Sequence, residues 1–72
     1  VLGSAELPPG ASLGSHTHFG VEFGYVAEGE VEFIVRGKEN YRVKSGGFYK
    51  IEAGAIHDAH SVGGPAKVIA TW

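Results

Sequence analysis

The sequence predicts an all-β fold. Three observations carry that prediction. Short runs of β-branched and aromatic residues recur along the chain, among them Val31-Glu32-Phe33-Ile34-Val35. Twelve glycines in 72 residues are spread as punctuation between those runs, not gathered in a linker. No stretch keeps apolar residues at i, i+3, i+4 and i+7 over ten residues, so helix is nearly absent.

The elements follow in chain order. Glu22 to Ala27 fits a strand before a Glu28-Gly29 turn. Val31 to Val35 is the next strand, and Gly37-Lys38-Glu39-Asn40 is turn chemistry. Tyr41-Arg42-Val43-Lys44 alternates apolar with basic, the period of a half-buried strand. Ser45-Gly46-Gly47 turns the chain into Phe48-Tyr49-Lys50-Ile51, which Ala53-Gly54 closes. His57 to Val62 is a further strand, ended by Gly63-Gly64-Pro65, and Val68 to Trp72 reads as the last. Six or seven short strands with turns every 8–12 residues or so point to a sandwich or barrel.

One domain accounts for the whole length, residues 1–72. So short a chain buries only roughly 60% of its unfolded surface, so its core is thin. Such domains compensate with disulfides, a metal or a partner subunit. There is no cysteine, which excludes disulfides and thiolate metal sites. Net charge is −2 with no basic stripe, so nucleic acid and anionic membrane are not expected partners. No apolar run approaches the roughly 18 residues of a membrane span. The chain contains no methionine and stops on a strand, so trimming at both ends is expected. A soluble protein follows, either cytoplasmic or exported.

Four histidines are placed specifically. His16-Thr17-His18 sets two imidazoles at i and i+2, which on a strand share a face about 6–7 Å apart. Glu22 follows four residues later, and His57 opens another strand. Three neutral imidazoles and a carboxylate form a borderline N/O set that accepts one divalent transition ion: Fe, Mn, Ni, Cu, Co or Zn. A lone His-x-His is commonly surface decoration, so the spacing of the flanking residues decides.

Gly10, five residues, His16-Thr17-His18, three residues, Glu22, six residues, Gly29: this resembles the first signature of the cupin superfamily at every fixed position. Gly46, Gly54 and His57 keep the spacing of the second signature. Glu52 stands where that signature has proline, and Ser61 where it has asparagine. The whole is similar to small single-domain bacterial cupins, some of them quercetinase-like. The resemblance implies a small jelly-roll barrel, the double-stranded β-helix, with a metal held by His16, His18, Glu22 and His57. It also implies a homodimer formed by sheet-to-sheet packing.

Parity sorts the remaining candidates. Gly24 has the parity of Glu22 and is expected either to leave room for a ligand or to mark a bulge or close backbone approach. His60 and Tyr25 oppose the ligands in parity; His60 is expected at the surface or behind a ligand and not as a ligand itself, and Tyr25 in packing or a subunit interface. Tyr49 is expected inward if Lys50 marks the wet face, for packing or as a pocket hydroxyl. Phe19 is a candidate rim residue, and Glu52 is expected in solvent.

The implied function is a non-haem metal-dependent dioxygenase-like enzyme on a small organic substrate. The alternatives are Lewis-acid isomerase or lyase chemistry, with Tyr49 as proton carrier, and a non-catalytic metal or small-ligand binding module. Imidazole binds metal only when neutral, so metal occupancy is expected to fall as pH drops through roughly 6.5.

Overall fold

A computed structural model describes residues 2–10, 12 and 20–71. Seven strands follow in chain order: β1 (Leu2–Leu7), β2 (Glu22–Glu28), β3 (Glu30–Val35), β4 (Tyr41–Lys44), β5 (Phe48–Ile51), β6 (His57–Ser61) and β7 (Ala66–Thr71). All pairings are antiparallel. One sheet has the order β1-β7-β2-β5 and the other β4-β3-β6. Among the described strands no ladder joins the two sheets, so the molecule is a jelly-roll sandwich, not a continuously paired barrel.

Strand alternation builds the interior between the sheets. From the four-stranded sheet come Leu7, Val26, Tyr49, Ile51, Ala66, Val68 and Ala70; from the other come Val31, Phe33, Val35 and Ala59. The fully buried Phe33, Ile51, Val26 and Val31 each contribute roughly 1.5–3 kcal/mol by leaving water. Ala59, Ala66 and Ala70 are the small members of this core.

The chain changes sheet four times, and two of these corners lie side by side. The β2–β3 corner turns at Gly29, whose φ is 77°, and a Cβ there would collide with the Pro65 carbonyl. The β4–β5 corner packs beside it: the Ser45 amide donates to the Gly29 carbonyl at 2.8 Å and the Gly46 amide to Val26 at 2.8 Å. Next to this knot the β2–β7 register shifts between Val26 and Glu28, an irregularity of the ladder.

Ser61, in place of the signature asparagine, is buried and donates from its hydroxyl to the Pro8 carbonyl at 2.7 Å, tying β6 to the end of β1. Glu52, in place of proline, is exposed and pairs with Lys50 at 3.4 Å. The outer face of the four-stranded sheet carries an apolar patch beside Lys50. Leu2, Phe23 and Phe48 are 77%, 53% and 79% exposed. With Tyr25 and Ile69 they line an open cavity of about 270 Å³. Tyr25 stacks obliquely on Phe48, with ring centroids 5.5 Å apart, as its parity predicts.

Candidate metal centre

Two of the four expected ligands lie on described residues, and the fold brings them together. Glu22 opens β2 in the four-stranded sheet, and His57 opens β6 in the other. They are 35 residues apart in sequence, yet Glu22 Oε1 lies 3.2 Å from His57 Nε2. Both are buried, at 8% and 4% exposure, so this contact is inside the sandwich. His16 and His18 lie outside the described residues, as does the rim candidate Phe19. Among the described residues no group of three or more His, Cys, Asp or Glu forms a metal cluster.

The tautomer of His57 is set by its other nitrogen. Nδ1 lies 2.9 Å from the Ala55 carbonyl oxygen, which only accepts, so Nδ1 carries a hydrogen and donates. In the neutral ring Nε2 therefore presents its lone pair toward the Glu22 carboxylate. The lone pair of Nε2 and the Glu22 oxygen thus converge as two donor atoms that a metal ion could bridge. A backbone carbonyl on the far nitrogen is also how metal-binding imidazoles are commonly oriented.

The spacing suits a metal. Bonds of about 2.0–2.2 Å to nitrogen and oxygen place neighbouring ligand atoms about 2.9 Å apart at a right angle and about 3.4 Å apart in a tetrahedron. The observed 3.2 Å falls between. Glu22 and His57 thus fit the chemistry of one divalent transition ion in both donor type and separation.

Tyr49 completes the buried cluster. Its hydroxyl donates to Glu22 Oε2 at 2.6 Å. Burial first, and then the bond to this carboxylate, push the phenol far above its ordinary value, so it remains a donor throughout the neutral range. Burial and the Glu22 charge also raise Tyr41. Tyr49 therefore packs in the core and directs its hydroxyl to Glu22. Its ring lies 4.2 Å from the Phe33 centroid, and Phe33 lies 5.4 Å from Tyr41, so an aromatic column crosses between the sheets.

Gly24 serves this ring. It pairs with Tyr49 in the β2–β5 register, and a Cβ at position 24 would run into the Tyr49 ring. Neither expectation for Gly24 describes what is found: the space beside it is taken by the Tyr49 side chain, not by a ligand, a bulge or an approaching backbone. His60 stands on the outer face, with Nε2 2.9 Å from Glu32 Oε1, away from the buried pair as its parity predicts.

The chain belongs to the cupin family: the Cupin domain model matches residues 3–72. No curated protein sequence matches it. Among solved structures it is similar to a predicted oxalate decarboxylase from Thermotoga maritima, at 30% identity and a TM-score of 0.85, over 97% of this chain and 62% of that one. It is similar in fold to a recombinant oxalate oxidase in complex with glycolate, at 23% identity and 0.88, over 96% and 39%. A third is an RmlC-like cupin from Methanocaldococcus jannaschii with a double-stranded β-helix fold, at 13% and 0.88, over 96% and 64%. The chain thus spans less than two thirds of the length of each of these structures. No helix among the described residues is long and apolar enough to cross a membrane.

Proposed function

We propose that this cupin binds one divalent transition ion through His16, His18, Glu22 and His57 and acts as a metal-dependent, dioxygenase-like enzyme on a small organic substrate. The observation that carries the reading is the buried Glu22–His57 contact, with Nδ1 of His57 committed to a carbonyl. It is supported by the complete first signature and by relatives whose names describe chemistry on small carboxylates.

When bound, the ion supplies Lewis acidity and, where redox-active, access to dioxygen. Held by His16, His18, Glu22 and His57, such an ion would still have room for an outside ligand. The protein's own part is to keep the site dry, to hold the His57 tautomer through Ala55, and to hold Glu22 through Tyr49. Lyase chemistry is the second reading. It is favoured by the decarboxylase relative.

Oxygen consumption by the metal-loaded protein, screened over phenols, diketones and small carboxylates, separates these readings. Uptake of dioxygen with one substrate class supports the first. Turnover without dioxygen supports the lyase. Metal binding with turnover of nothing leaves a binding module.

The homodimer is proposed to form through the outer face of the four-stranded sheet. An exposed surface carrying Leu2, Phe23 and Phe48 favours burial against a second copy. Phe48→Glu is expected to convert a dimer to a monomer in sedimentation velocity while leaving the interior intact. A wild-type monomer at all concentrations contradicts it.

A further inference from the structure

We propose that Tyr49 is a positioning residue of the metal centre, holding Glu22 so that Oε1 is the oxygen turned toward the ion. The proposal rests on the metal-site reading above and deepens it.

The two carboxylate oxygens of Glu22 face different partners. Oε2 accepts the Tyr49 hydroxyl at 2.6 Å, and Oε1 faces His57 Nε2 at 3.2 Å. A carboxylate can bind an ion through one oxygen or both. A short phenol bond occupies one lone pair of Oε2 and fixes the carboxylate plane, with Oε1 turned to the His57 side. One-oxygen binding keeps an additional position of the ion available to an outside ligand.

Three features make the phenol a fixed part of the site and not a passing contact. Phe33 packs against the ring at 4.2 Å and is itself backed by Tyr41. Gly24 opposite gives the ring its place, which any Cβ would obstruct. Tyr49 is only 6% exposed, so water does not readily replace its hydroxyl on Glu22. Sheet pairing, aromatic stacking and a missing side chain thus all set the orientation of one carboxylate.

The test uses Co2+ as a probe on the full chain, comparing wild type, Tyr49→Phe, Glu22→Gln and the double variant. Tyr49→Phe keeps the ring and its packing. If Tyr49 positions Glu22, its loss weakens Co2+ binding about tenfold, the lower end of the effect of removing an outer-sphere partner. The visible Co2+ spectrum changes as the carboxylate reorients. In the Glu22→Gln background the same Tyr49→Phe change adds little, because the residue acts through the carboxylate. The metal-free melting temperature of each variant separates site effects from folding.

Wild type that binds Co2+, with the same affinity and spectrum in Tyr49→Phe, overturns the positioning role alone. So does an undiminished Tyr49→Phe effect in the Glu22→Gln background. Wild type that takes up no Co2+ removes the metal site and this inference together.

Discussion

Phe33→Ala is expected to be close to an unfolding mutation. Phe33 is 2% exposed and sits in the middle of the aromatic column, between Tyr41 on its own sheet and Tyr49 on the other. Truncating a buried phenylalanine costs about 3–5 kcal/mol, because the transfer energy is lost and a cavity is left. A chain of this length has a total stability of only about 4–11 kcal/mol. The melting temperature should therefore fall by at least about 12 °C, read by circular dichroism. Phe33→Leu, which refills part of the volume, should recover much of it. A loss below about 1 kcal/mol would mean that the two sheets do not depend on this contact.

Gly24→Ala is expected to be nearly as damaging, although it adds one methyl group. Position 24 lies in a strand interior, where alanine is ordinarily acceptable in backbone terms. The cost comes from what the methyl meets. It enters the Tyr49 ring, which cannot retreat because Phe33 lies behind it. Overpacking a tight core costs about 1–3 kcal/mol, and the buried hydroxyl bond to Glu22 is disturbed as well. A destabilisation at or above the upper end of that range is expected in thermal or urea unfolding. The mechanism has its own signature: Tyr49→Val vacates ring volume, so Gly24→Ala should cost much less in that background. Purely additive changes would show that the methyl acts elsewhere.

Much of the fold was legible because turns and strand alternation are local. Tyr41–Lys44 and Phe48–Ile51 were read with the bounds they have, and the strands from Glu22 and His57 differ by a residue at one end. β1 was missed. In Leu2–Leu7 the inward Gly3 and Ala5 are small while Leu2 points outward, so the period-two contrast is absent. Its strand character comes from pairing with β7, where Glu6 meets Lys67 and Ser4 meets Ile69. The last strand begins at Ala66, two residues before the apolar run that betrays it.

The site divides the same way. Glu22 and His57 were nominated by their type and spacing, and the fold sets them side by side. The role of Tyr49 was only half legible. Parity gave its direction, but the bond to Glu22 depends on which residue of β5 faces which residue of β2. Once the register places Tyr49 opposite Gly24, the glycine has a reason outside both sequence alternatives, ligand space and a bulge or backbone approach: the Tyr49 ring lies over it.

The most direct test of the account is the metal content of the protein, measured by elemental analysis after chelator-free preparation and after reconstitution. The account predicts about one divalent transition ion per chain in wild type, with a melting temperature that drops on chelation. His16→Ala and His57→Ala should each lose the ion. Wild-type protein that carries no ion and takes none up, or an ion retained in full by His57→Ala, would contradict the four-ligand centre.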